Sequence, residues 1–83
     1  MIKVLFFARL REQLNCEQLD LKLANDSLTI ADVKQQLVTL HPNWQSYLQD
    51  NALLNAVNQQ MADNNTSISS GDEVAFFPPV TGG

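Results

Sequence analysis

The first eight positions are apolar except for Lys3, and period two would set Ile2, Val4, Phe6 and Ala8 on one face and Lys3, Leu5 and Phe7 on the other. A β-branched and aromatic run of period two predicts a strand over 2–8. An alternation sets Leu19, Leu21 and Leu23 against Gln18, Asp20 and Lys22 and predicts a strand over 18–23. Polar residues from Arg9 to Glu17 join the two, which predicts an opening hairpin. The period then changes. In Ser27-Leu28-Thr29-Ile30-Ala31-Asp32-Val33, Thr29 can cap a helix, Asp32 stands three residues on, and Leu28 can staple onto Val33. Ile30, Val33, Leu37 and Leu40 recur at helical spacing until His41-Pro42 stops the pattern, so one amphipathic helix of about three turns is expected. Trp44, Tyr47 and Leu48 predict a short helical turn closing the far side of the core.

The remaining pattern is again that of strands. Leu53 to Asn58 predicts one, Asn58-Gln59-Gln60 a turn, and Ser69-Ser70-Gly71-Asp72 a turn into a last strand, Glu73 to Phe77. Pro78 and Pro79 cannot donate ladder hydrogen bonds, so the sheet is expected to end there. Sequential hairpins would leave the first and last strands half-covered. Pairing them side by side, parallel in the middle of a mixed sheet, hides both apolar faces. The expected class is therefore α+β: a β-grasp, or ubiquitin-like, fold with one main helix packed on one face of a mixed sheet. It would occupy 1–79, with 80–83 as a flexible tail.

Composition narrows the chemistry. Eighty-three residues with 45% apolar and 17% charged positions suit one folded domain, able to bury roughly 60 to 65% of the surface its unfolded chain exposes. Nine acids against five bases leave a net charge of −4, and the bases (Lys3, Arg9, Arg11, Lys22, Lys34) form no cluster. Nucleic-acid binding, which needs grouped Lys and Arg to displace counterions, is not expected. No apolar run approaches a membrane span, and the start lacks the features of a signal peptide, so a cytoplasmic location is expected and no membrane contact. Cys16 is the single cysteine, which excludes an internal disulfide and a metal-binding cysteine pair. It reads as an incidental loop residue, His41 as a helix-end residue that satisfies terminal carbonyls, and Arg9, Arg11 and Glu12 as a solvated turn.

The end of the chain is the part with a chemical signature. Val80, Thr81, Gly82 and Gly83 come directly after Phe76-Phe77-Pro78-Pro79 with no polar spacer, and four extended residues reach about 13 Å. Two prolines restrict the backbone to extended shapes and aim the last four residues away from the domain. Two glycines, lacking Cβ, can pass a narrow channel and leave the Gly83 carboxylate unhindered. A carboxylate with pKa near ~3.5 is a poor electrophile and must be activated first, for example as an acyl-adenylate. The chain carries no Gly-rich loop with Lys to cradle ATP phosphates, no Ser/His/Asp set and no metal cluster, so the activator must be another protein. No bound cofactor is expected. Near the tail, Phe7 and Phe77 should share the outward face with Lys3 and Glu73, and Met61 can extend that patch, which marks a protein interface.

These residues resemble a known family, the small subunits of molybdopterin synthases, which are ubiquitin-like sulfur carriers. The resemblance runs over the start Met1-Ile2-Lys3-Val4-Leu5-Phe6-Phe7-Ala8, the Arg11-Glu12 pair, Leu53 to Gln59, and most specifically Gly71 to Gly83. It implies a non-catalytic, sulfur-donating subunit of a sulfurtransferase complex. An adenylyltransferase like those that activate ubiquitin would use ATP to adenylate Gly83, a persulfide donor would convert it to a thiocarboxylate, and the large subunit would pass its sulfur to cyclic pyranopterin monophosphate on the way to the molybdenum cofactor. Two small and two large subunits would form a heterotetramer. Gly83 would carry the sulfur, Gly82 and Thr81 would give access, and Phe7, Met61, Phe77 and Val80 would meet the partner. Other readings stay open: a carrier for thiamine or another thiolation pathway, a tail joined to lysines as a protein modifier, and a β-grasp binding module with an inert tail.

Overall fold

Strand β1 (Ile2–Phe6) organises the molecule, pairing antiparallel with β2 (Gln18–Leu21) on one side and parallel with β7 (Glu73–Phe77) on the other. The computed structural model describes residues 1–25 and 28–79. Strand β7 pairs in turn with antiparallel β4 (Leu54–Val57), and β4 with β5 (Gln60–Ala62), giving a five-stranded sheet of order β2-β1-β7-β4-β5. The first and last strands lie parallel at its centre, where the inner face of each, Ile2-Val4-Phe6 and Val74-Phe76, is covered by the core. A separate two-stranded pair, β3 (Leu28–Thr29) with β6 (Ser67–Ile68), clips the entry of the main helix to the loop that precedes β7.

That helix, α2 (Ile30–Leu40), begins on the predicted cap. Asp32 N–H reaches the Thr29 hydroxyl, and the Asp32 carboxylate accepts from the Thr29 N–H, so two otherwise orphaned donors are satisfied reciprocally. Ile30, Val33 and Leu37 are fully buried. The stripe then departs from expectation: Leu40 is 59% exposed and Val38 is buried in its place. Val38 joins the core cluster that holds Trp44, and the chain continues into a 3-10 turn (Pro42–Trp44) and α3 (Gln45–Leu48), the short helical closure anticipated around Trp44, Tyr47 and Leu48. His41 ends α2, but its backbone N–H bonds Leu37 O at 2.8 Å while the imidazole stacks on Trp44 at 3.9 Å. The ring packs and does not cap.

A second difference is larger. The expected strand over 2–8 and hairpin loop over 9–17 are replaced by a strand ending at Phe6 and a helix, α1 (Ala8–Leu14). Arg, Leu, Glu and Gln are good helix formers, and Leu10 and Leu14, one turn apart, bury together. Ala8 is exposed, not on the core face. Arg9, Arg11 and Glu12 stand on this helix and not in a turn. Asn15 closes it in the left-handed region (φ 53°), with Asn15 N–H on Glu12 O at 3.2 Å and Cys16 N–H on Arg11 O at 3.1 Å. Strand β2 stops at Leu21, two residues short of the expected end, and β5 is a strand that Gln60-Met61-Ala62 did not signal. Asn58 (φ 50°) and Gln59 (φ 70°) form the two-residue turn that closes β4 on β5. Gly71 (φ 93°) supplies the backbone the turn before β7 demands, and its N–H bonds Met1 O at 2.8 Å.

The core lies between the inner face of the sheet and the helices. Phe6 stacks on Phe76 at 6.1 Å and meets Trp44 edge-on at 5.4 Å. Ile2, Val4, Val74, Val33, Leu37 and Leu48 are among the side chains packed around them. One cation intrudes: Lys34 of α2 is buried, with Nζ donating to Asn64 Oδ1 at 2.8 Å and 5.9 Å from the centre of the Phe76 ring.

Candidate functional site: the outer sheet face and the tail root

The inner face of the sheet is fixed by the core, so the strand period assigns the other face to solvent or partners. Parallel register places Lys3 beside Glu73 and Leu5 beside Ala75. Antiparallel register then sets Ala75 beside Ala56, Ala56 beside Met61, and Phe77 beside Leu54. One apolar row, Leu5-Ala75-Ala56-Met61, thus crosses four strands. A second holds Phe7, one step beyond the Phe6–Phe76 pair, with Phe77 and Leu54. At the opposite end the row is charged, Asp20-Lys3-Glu73. The face is graded, polar at the start of β1 and apolar where β7 leaves the sheet.

Exposure varies along that face, and Ala56, at 8%, is buried among its neighbours. Phe7 is 45% and Met61 65% exposed, while Phe77 and Leu54 are half-buried. Large apolar side chains gathered on one face, rimmed by charge, mark a docking surface. The structure therefore brings Phe7, Met61 and Phe77 onto one face, with Phe77 less open than its period alone implied. Leu54 and Ala56 join them. Their signal was the alternation Leu54-Asn55-Ala56-Val57, which places Leu54 and Ala56 opposite Asn55 and Val57 once the strand is recognised.

Strand β7 ends at Phe77, with Pro78 half-buried and Pro79 exposed. Because Val74 and Phe76 are fully buried and hydrogen-bonded neighbours flank β7 on both sides, the root of the tail is held by the core. Val80, Thr81, Gly82 and Gly83 lie outside the described residues. A groove of about 360 Å³ lies on the inner side of the root, lined by Arg9, Leu10, Gln13, Tyr47, Leu53 and Pro78, among others.

The other candidates are dispersed. Cys16 is half-buried, its thiol donates to Gln18 O at 3.6 Å, and burial pushes its pKa above 9.0, which keeps it protonated at neutral pH. Arg11 pairs with Glu17 at 3.9 Å at the surface, a contact worth little in stability. Among the described residues, no group of three or more His, Cys, Asp or Glu side chains is placed to hold a metal, and no helix is long and apolar enough to cross a membrane.

A mixed sheet with its first and last strands parallel at the centre, one main helix packed on its inner face and an apolar outer face running to the tail root defines a β-grasp protein of the ubiquitin-like class. The agreement with relatives extends along the whole chain. It belongs to the ThiS family, which it matches over residues 4–83. It is 43% identical over 83 residues to the molybdopterin synthase sulfur carrier subunit of Escherichia coli (strain K12), covering all of both chains. The Haemophilus influenzae (strain ATCC 51907 / DSM 11121 / KW20 / Rd) protein of the same name is 39% identical, again over all of both. Among solved structures the chain is similar to SAMP1 from Haloferax volcanii, with a TM-score of 0.85, 26% identity and coverage of 99% of this chain and 98% of that one. It is also similar to a chain of the complex of subunits 1 and 2 of the molybdopterin-converting factor from Helicobacter pylori 26695, with a TM-score of 0.67, 26% identity and coverage of 99% and 97%.

Proposed function

We propose that this chain is a sulfur carrier for molybdenum cofactor synthesis, loaded at Gly83 by one protein and unloaded by another. The observation that carries the reading is the apolar outer face converging on the root of a Gly-Gly segment that succeeds a core strand. A partner that grips Leu5, Phe7, Met61 and Phe77 would hold a body in which the tail root is already fixed, so little further ordering is required to direct the terminal residues into its active site. Relatives of 39% and 43% identity named molybdopterin synthase sulfur carrier subunits support this pathway over a thiamine one. The Helicobacter pylori structure, a complex of two converting-factor subunits, supports a large-subunit partner.

In this reading an adenylyltransferase couples the Gly83 carboxylate to the AMP part of ATP and releases pyrophosphate. The terminal sulfur of a persulfide displaces AMP to give an acyl disulfide at Gly83, and a second thiol attacks the donor-side sulfur of that bond, forming a disulfide with the donor and leaving Gly83 as a thiocarboxylate. The large subunit binds the outer face and receives the tail, and the sulfur passes to cyclic pyranopterin monophosphate. Each carrier delivers one sulfur, so a dithiolene takes two turns, which fits two small and two large subunits in the complex. The carrier supplies the sulfur and the docking face, the ATP is used by the activating partner, and the reaction takes place in the cytoplasm.

Incubating the thiocarboxylate form with the purified large subunit and the pterin precursor tests the pathway. Conversion to molybdopterin is expected. Sulfur delivered only to a thiazole precursor would move the chain to thiamine synthesis. Adducts with lysines would make it a protein modifier, the reading favoured by its likeness to SAMP1, a small archaeal modifier protein.

A further inference from the structure

Four described residues other than glycine have positive φ, and three of them have ordinary reasons. Asn58 and Gln59 form the β4–β5 turn, and Asn15 caps α1. Ala8, at φ 55°, does neither, because it stands at the first position of α1 directly after Phe7. A residue with a Cβ is disfavoured in the left-handed region, and such strain persists only where the surroundings impose it. Here both sides do. Before Ala8, Phe7 is still extended (φ −118°, ψ 158°) and donates its N–H to Phe76 O at 3.1 Å, so it continues β1 along β7 by one residue. After Ala8, Leu10 and Leu14 are buried and pin α1 to the core. The chain therefore changes from strand to helix within one residue, and that residue bears the reversal.

We propose that Ala8 is a positioning residue whose left-handed backbone, held between β1 and α1, fixes the Phe7 ring on the outer face beside the tail root for the partner that unloads the tail. The inference rests on the proposed docking of the large subunit to that face. A smoother exit from the strand would carry Phe7 away from Phe77 or wind it into the helix. Glycine would adopt the same backbone without strain, but it would also open alternatives to it and so loosen the ring.

Binding of wild type, Ala8→Gly, Phe7→Ala, the double variant and Ala8→Asn to the purified large subunit, with thermal midpoints of each, tests this. Ala8→Gly is expected to keep or raise the midpoint yet bind about three- to fivefold more weakly, the effect of one residue's added backbone freedom. In the Phe7→Ala background the same change is expected to alter affinity by less than about twofold, since no ring remains to position. Asn tolerates the left-handed region while keeping a Cβ, so Ala8→Asn is expected to bind within about twofold of wild type. The inference is overturned if Ala8→Gly binds as wild type, if it loses the same factor with and without Phe7, or if its midpoint falls. A wild-type chain that fails to bind the large subunit at all would refute the docking reading itself, a failure visible before any variant is compared, and would take this inference with it.

Discussion

Lys34 lies among the buried residues of α2 with its ammonium on Asn64 Oδ1 and above the Phe76 ring, and desolvation lowers its pKa from the ordinary 10.5. Proton counting gives the sign of the consequence. Between the lowered folded value and 10.5 the unfolded chain holds the proton more often than the folded one, so this group makes stability rise with pH across that window. Below the window the charged form is buried at full cost. Denaturant midpoints measured from neutral to alkaline pH should show wild type gaining on Lys34→Met as the pH climbs toward 10.5. A constant difference would mean that Lys34 titrates as if in water. Asn55 poses a related case, since its amide Nδ2 donates to Ala62 O at 3.4 Å while Oδ1 is buried without a partner. Neither group announced itself in the sequence, because a lysine or an asparagine in a periodic segment reads as the solvent side unless the register is known.

Helix α1, which joins β1 to β2 and buries Leu10 and Leu14 in the core, is the element that polarity concealed. Arg9, Arg11, Glu12 and Gln13 made 9–17 look like a loop, while the pair Leu10 and Leu14 was too brief a stripe to outweigh them. Truncation separates the two views: Leu10, 2% exposed, is expected to cost about 2–5 kcal/mol as Leu10→Ala. Leu40→Ala, at a site 59% exposed, should change stability by no more than about 0.5 kcal/mol. Chemical denaturation of the two variants checks both, and equal losses would contradict the burial pattern. What the sequence made legible were the elements with strong local signals: the β-branched and aromatic run of β1, the alternation of β2, the Thr29–Asp32 capping box, the His41-Pro42 stop, and β7 between its Gly-Asp turn and its prolines. Elements defined by a distant partner were not legible. Strands β3 and β6 are two residues each and exist through the pairing of Leu28 with Ile68, and β5 through the turn at Asn58 and Gln59. The exchange of Leu40 for Val38 in the buried stripe has the same origin, since the turn after α2 decides which side of its last turn meets Trp44.

At the scale of the whole molecule, the sheet presents two faces with different work. The inner one, built on Phe6, Phe76 and Trp44, makes a rigid body, and the outer one offers Phe7, Met61 and Phe77 to a partner. That Phe7 and Phe77 share a face could be read from period two and the pairing of the first and last strands, whereas Met61, Leu54 and Ala56 needed the register of β4 against β5 and β7. Gly83, the proposed bearer of the sulfur, was marked by its sequence setting alone. The proposal as a whole turns on whether that residue is loaded. The direct test is the intact mass of the chain after co-expression with its activating enzyme and a persulfide donor, compared with a variant lacking Gly83. The account predicts that the full chain gains the mass difference of one oxygen replaced by one sulfur and that the variant folds equally well and gains nothing. An unchanged mass in the full chain, or the same gain in the variant, would contradict it.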